Sequence, residues 1–500
     1  MPILPLRSEA GVIRDGTLLS SGKFTDAVWT RFYQGKPLKM GGFKLIQHGD
    51  DRRIVNLYVV PQEDRFDLYL GRPDTLSFVN YDNSLLPSVE INRTPAGFTV
   101  DDNNSWTFSQ LTSINDVSVT NLLAHSAPNN GDLASTTTRP VYYGNVDLQT
   151  PLTDTGIEVS GGVVVLGDQA MAYGNNGVII PSKPGDPTNW KTENIVGGTK
   201  IVMGYPIRSG GTPAGLFWSL DGLYRTVYSP GSGAFLSESL KRGSSILSPK
   251  SVVETDNLIF WIGPDNFYVY NGTVQAVPNE DNKQWFFNNL NLNNQEKVWG
   301  MHLPQYFEVV WFFPKGDSEF PNHAIVYNYL KKSWYDTPWA RTAGTISHLL
   351  PYPLMSDSNL EKEPSGIDRY GVWAHEFGTS KTAHGREIAI PSSVQYGLLS
   401  PQMLSNEKDF AISIKTILHD RVQTGKMSFQ IEARAYPNMP GIVYGPFELN
   451  EETVKSDLRV QGNYLLIKFM SNDKDGTYEM GTPLLEIHEG DERPTPISVL

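Results

Sequence analysis

Asp256-Asn257-Leu258-Ile259-Phe260-Trp261-Ile262-Gly263-Pro264-Asp265-Asn266-Phe267-Tyr268-Val269-Tyr270-Asn271-Gly272 reads as two apolar strands folded on each other. Leu258 to Ile262 is β-branched and aromatic, Gly263 to Asn266 carries turn chemistry, Phe267 to Tyr270 is aromatic again, and Asn271-Gly272 turns the chain once more. A lone hairpin is marginal in water, so a strand pair this apolar needs neighbours on both faces. Its concentration of Trp261, Asp265, Tyr268 and Tyr270 suits either a site or a building unit, and recurrence separates the two.

The unit recurs. Leu68 to Asn80, Val163 to Gly174 and Leu216 to Tyr228 each join an apolar strand to a Gly/Asp turn and a strand bearing Tyr or Phe. Looser copies run from Val309 to Phe313 with Ala324 to Trp334, and from Tyr370 to Gly378; Trp106 to Leu123 holds one more. Successive starts fall about 40 to 60 residues apart, near the period of a four-stranded propeller blade. Each blade is an apolar slab that must stack on two others, so the expected architecture is all-β, a closed β-propeller of about six to seven irregular blades. A row of separate sandwiches is the competing arrangement.

Composition agrees. The chain has 500 residues, 45 Gly and 34 Pro, 11% aromatic residues and no cysteine. This is the profile of a turn-rich all-β protein without disulfides or thiolate metal sites. No stretch reaches the roughly 20 apolar residues of a membrane helix, and the first residues lack a leader pattern, so the expectation is a soluble chain with no integral membrane segment. The net charge of −13 argues against a tight grip on nucleic-acid phosphates.

Three regions follow. Residues 1–45 form an N-terminal arm too short for its own core and expected to pack on another domain; residues 46–388 form the propeller; residues 389–500 form a C-terminal β-sandwich-like domain with strands such as Phe410 to Leu418 and Tyr464 to Phe469. A short helix is expected after Asn279, and a polar loop from Ser356 to Gly366.

Candidate chemistry is sparse. Gly16 to Phe24 lacks the spacing and the hydroxyl of a phosphate-binding loop, and in His375-Glu376 the second histidine of a zinc-protease helix is replaced by Thr379. Ser219-Leu220-Asp221-Gly222 resembles one sialidase turn, but Asp74, Asp168, Asp221 and Asp265 all sit at hairpin turns, where Asp serves local hydrogen bonding. Lys23, Arg31, Lys36 and Lys39 lie near Trp29, Phe32 and Tyr33, readable as a nucleic-acid patch or as a solvated turn face. No catalytic, cofactor-binding or metal residue is assigned.

Four ordered stretches resemble the tail nozzle (tail-hub, tail-tube B or stabilisation factor) proteins of short-tailed bacteriophages. They are the arm Trp29-x-Arg31-Phe32-x-x-Gly35-x-Pro37-x-Lys39-x-Gly41-Gly42-Phe43, and the opening hairpin with Trp261, Gly263, Asp265, Tyr268, Tyr270 and Gly272. The third runs from Phe287 through Trp311 and Tyr327 to Trp334, and the last includes Gly445-Pro446-Phe447, Gly462 and Gly481-x-Pro483-Leu484-Leu485-Glu486-Ile487. Residues 84–160 carry no such motif. The resemblance implies a non-enzymatic virion protein without cofactors, assembled in the cytoplasm of the bacterial host. It implies a homo-hexameric ring below the portal and adaptor, with tailspikes or fibres outside and a tail plug or needle at the tip. Phage DNA would pass through the lumen during genome ejection without specific binding. The alternative from the repeat alone is a β-propeller carbohydrate-binding or glycoside-processing protein.

Overall fold

In the opening hairpin, alternate residues serve opposite neighbours, as a pleated strand requires. Ile259–Ile262 pairs antiparallel with Phe267–Tyr270, with Trp261 opposite Tyr268. Phe260, Ile262 and Phe267 enter the core shared with the following sheet, whereas Ile259, Trp261, Tyr268 and Tyr270 enter the core shared with the preceding one. The hairpin is therefore the middle of a sheet covered on both faces. The computed structural model describes residues 3–490 except 63–64, 82–86, 103, 129–131, 192–193, 210, 244, 348–349, 351, 363–365, 367 and 402–410.

Seven such sheets follow one another. Blade 1 is Asn56–Pro61, Phe66–Gly71, Leu76–Tyr81 and Ile91–Asn92; blade 2 is Asn104–Thr112, Thr120–Pro128, Arg139–Asn145 and Thr153–Val159. Blade 3 spans Gly162–Leu166 to Asp186–Trp190, and blade 4 Ile201–Ser209 to Ala234–Arg242. Blade 5 spans Val253–Glu254 to Val274–Ala276, and blade 6 Trp299–Leu303 to Ser333–Pro338. Blade 7 takes Arg341–Thr345, Leu354–Asp357 and Gly371–His375 from late in the chain, and its next strand, Phe43–His48, from the N-terminal region. Every adjacent pair of blades shares an apolar core. The first strand of blade 7 lies against the first strand of blade 1, which closes the ring. The described residues thus form an all-β fold in which a seven-bladed propeller is joined by the C-terminal sandwich.

The seven stretches read from the sequence fall one to a blade. Their phase differs: Val163 to Gly174 joins the first and second strands, while Leu216 to Tyr228 and the opening hairpin join the second and third. That shift accounts for the uneven period.

The C-terminal sandwich has one sheet ordered Ile3–Pro5, Leu484–Glu489, Ile412–Leu418, Lys455–Gly462. Another is ordered Asp26–Val28, Ser392–Gln395, Tyr464–Ser471, Met427–Arg434, Ile442–Leu449. A smaller sheet joins Arg421–Thr424 and Thr477–Met480 to the arm strands Lys36–Lys39 and Thr30–Tyr33. The arm thus lends strands to three sheets of this domain before Phe43–His48 enters the propeller. One apolar core runs through arm, sandwich and blades 6 and 7. Phe410, expected in the strand ending at Leu418, lies outside the described residues.

Two local expectations need correction. The helix is Lys283–Asn289, starting after Asn282 rather than after Asn279. Asn279 instead accepts the Asn282 N–H at 3.0 Å, and the Asp15 carboxylate accepts the N–H groups of Gln284 and Trp285, both at 2.8 Å. A carboxylate from the arm satisfies the helix start, which no local pattern encodes. Ser356 and Asp357, expected in a loop, form the end of a buried blade 7 strand. Their polarity is met inside: Asp357 pairs with Arg341 at 3.0 Å and accepts the Trp373 indole N–H at 2.6 Å.

Candidate functional site

The family-like arm residues occupy a buried seam. The Arg31 side chain is 1% exposed and pairs with Glu376 at 2.6 Å and Glu308 at 3.6 Å, with its guanidinium 3.4 Å from the Tyr306 ring centre. Burial works against the charge, but the two carboxylates hold it fully protonated. Glu308, which accepts the Tyr335 hydroxyl at 2.8 Å, is pushed up to about 7, chiefly by burial and against the pull of Arg31. One cation thus links the arm to blade 6 and to the residue after blade 7's Gly371–His375.

The neighbouring residues are shaped by close approach. Trp29 is left-handed (φ 50°), donates its indole N–H to the Gly41 carbonyl at 3.2 Å, and meets Trp339 edge-on at 5.3 Å. Gly35 (φ 90°) makes the turn between the two arm strands. A Cβ on Gly41 would sit 2.8 Å from the Glu376 Cα, and one on Gly42 2.3 Å from the Ser380 carbonyl oxygen, so only glycine fits. Glu376 accepts the Gly41 N–H at 3.1 Å, and His375 accepts from Arg341 at 2.9 Å, so His375-Glu376 is engaged in this packing.

The four basic residues do not form a patch, and the solvated-face expectation fails too. Lys23 bonds Asp281, Lys39 is 5% exposed and donates to the Gly476 carbonyl at 2.6 Å, and Arg31 is buried; Lys36 alone is exposed, 3.1 Å from Glu479. A second network extends the seam: Arg14 meets Asp336 of blade 6 at 2.6 Å and Asp26 at 3.0 Å, and Asp26 meets Lys468 of the sandwich at 3.2 Å.

The hairpin residues pack between blades. Trp261 meets Trp218 of blade 4 edge-on at 5.4 Å and stacks on Tyr268 at 5.6 Å; Gly263 leaves room for the Tyr268 ring. Asp265 accepts the Tyr268 hydroxyl at 3.0 Å, Tyr270 is buried between blades, and Gly272 (φ 103°) turns the chain. Trp311 donates to the Ser251 carbonyl and Trp334 to the Pro278 carbonyl, both at 2.8 Å, while Tyr327 stacks on Trp334 at 4.5 Å. Asp221 accepts from Ser219 at 2.7 Å and from the Thr199 N–H at 3.2 Å, a local role.

The cavity with aromatic and charged walls lies where the first strands of the blades converge. It holds ≈ 440 Å³ and is lined by residues of blades 1 to 4 and the turn entering blade 5. Tyr58 and Phe108 stack in its wall at 5.2 Å, Tyr205 donates to Glu254 at 3.1 Å, and Lys250 reaches across to the Val55 carbonyl at 3.1 Å. Burial lowers Lys250 to about 8. Sequence reading missed this site, because its members are spread over four blades and a turn with no spacing of their own. Among the described residues no group of three His, Asp or Glu is placed to hold a metal ion, and no helix is long and apolar enough to cross a membrane.

No family model and no curated protein matches the sequence. Solved structures with some likeness include an exo-β-1,3-galactanase from Phanerochaete chrysosporium with galactose, at 9% identity and TM-score 0.26, covering 86% of this chain and 95% of that one. BamB from Moraxella catarrhalis matches at 11% identity and TM-score 0.34, covering 64% of this chain and 94% of that one. Likeness this slight says nothing about activity, and the propeller rests on its own strand order.

Proposed function

We propose that this chain is a structural, non-enzymatic component of a short-tailed phage tail nozzle, one subunit of a homo-hexameric ring that conducts the genome. The observation that carries the reading is the place of the family-like residues. Arg31, Gly41, Gly42 and Trp29 lie in the seam that ties arm, propeller and sandwich into one body, and Trp261, Trp311 and Trp334 tie blade to blade. Motif residues so placed preserve a rigid shape, which is what a conduit under pressure requires. Exposed apolar side chains on the sandwich, Val422 (72%), Tyr436 (59%) and Val443 (53%), suit contacts between subunits. The acidic balance suits a lumen past which phosphates slide.

Native mass spectrometry and negative-stain microscopy of the purified chain test this, alone and mixed with the portal and adaptor of its phage. A six-fold ring with a central hole is expected. A chain that stays monomeric alone and with those partners overturns the reading.

The axial cavity favours a second reading, a carbohydrate-binding or glycoside-processing propeller, because stacked aromatic walls suit sugar rings. Hydrolysis of an oligosaccharide, lost on filling the cavity, would establish it.

A further inference from the structure

Lys250 stands apart from the other charged groups of the axial cavity. Lys200 and Asp132, which also line it, offset one another, and the Lys200 ammonium donates to the Ser135 carbonyl. Lys250 projects from the short turn Pro249–Ser251, and its ammonium donates to a neutral carbonyl, that of Val55, at 3.1 Å. The carboxylate that acts on it is Glu296, which lines a small adjoining pocket together with Lys250 and Asp102, and Lys250 forms no ion pair with either carboxylate among the described residues. Glu296 is 3% exposed, one of its oxygens has no hydrogen-bond partner, and burial pushes its carboxyl toward the neutral form, so it is a poor counter-ion. An ammonium withdrawn from water without an anion is costly, and an incoming anion relieves that cost.

From this geometry we propose that the axial cavity is a binding site for a small ring compound bearing a carboxylate or a phosphate, with Lys250 pairing the anion and Tyr58, Phe108 and Tyr205 packing the ring. The ≈ 440 Å³ volume accommodates a ligand of one to two rings. Asn56 stands at the cavity wall with its side-chain oxygen already accepting the Trp106 N–H at 2.9 Å. The site belongs to the single propeller and does not depend on ring assembly, so its failure would leave the nozzle reading untouched, and the reverse.

Calorimetric titration of the full chain with D-glucuronate, D-glucose 6-phosphate and neutral D-glucose tests the proposal and tells the carboxylate from the phosphate. At least one acid binds and glucose does not; Lys250→Met weakens that acid about tenfold or more, and Tyr58→Leu weakens it while leaving the acid-over-glucose preference. Should Lys250→Met fail to fold, the wild-type pH profile decides: affinity for the acid falls above pH about 8, as Lys250 loses its charge; Glu296 and Lys297 act on it, Asp102 lines the adjoining pocket, and Lys200 and Asp132 line the cavity. Equal binding of glucose and the acids, binding of neither acid, an unaltered Lys250→Met, or a flat pH profile overturns it.

Discussion

Arg31 holds two carboxylates, Glu376 and Glu308, in a site it shares with almost no water. Replacing it with methionine leaves both acids buried without a cation, and the expected loss is about 3–5 kcal/mol in urea unfolding. Gly42→Ala forces a methyl group against the Ser380 backbone and is expected to cost about 2 kcal/mol or more, whereas Gly22→Ala, with nothing within 4 Å, shifts the midpoint by about 0.5 kcal/mol or less. Glu308 gives the seam a pH dependence. Its folded value of about 7 lies above the ordinary 4.5, so the folded chain keeps a proton that the unfolded chain releases. Its contribution to stability therefore declines as pH rises from about 4.5 to about 7. Glu308→Gln, which keeps an uncharged acceptor for Tyr335, is expected to flatten that slope in urea midpoints measured across the window. None of these partnerships was legible locally. The arm's glycines announced close approach to some backbone, but the sequence cannot say that Arg31's partners lie far downstream, which is why four paired basic residues read as a surface group.

At the scale of elements, the opening hairpin was legible because its strands are short, apolar on both faces and separated by turn residues. Trp261→Ala removes the ring between Trp218 and Tyr268 and is expected to cost about 3–5 kcal/mol, while Asp265→Asn keeps an acceptor for Tyr268 and costs about 1 kcal/mol or less, both by chemical denaturation. Blade 2 was barely legible. Its first strand, Asn104–Thr112, is only half buried over most of its length and carries Ser, Thr and Gln, so apolar periodicity is faint. The helix start was misplaced because the group that satisfies it, Asp15, comes from the arm. The axial cavity was invisible for the same reason: Tyr58, Phe108, Tyr205 and Lys250 acquire a common meaning only when four blades and a turn face one axis.

For the whole molecule, propeller and sandwich share the arm. Thr30 lies 2.6 Å from the Tyr478 hydroxyl, 448 residues away, and Leu45 pairs with Trp373 in blade 7. Deleting residues 1–48 removes a blade 7 strand and strands from three sandwich sheets together. The expected outcome is loss of the cooperative thermal transition and rapid proteolysis across the entire chain, not of one domain. The shared arm also has a meaning for synthesis on the ribosome. Translation at about 5–20 residues per second leaves the first 48 residues waiting roughly 20 to 90 seconds for their last partners. Blades 1 to 5 emerge in order beside an arm whose downstream partners are not yet made, and the ring can shut only once the chain has been read as far as His375 of its 500 residues. Nascent chains of this protein therefore expose unpaired β edges for most of their manufacture, and their yield should respond to chaperone supply more sharply than that of a propeller closed by neighbouring strands.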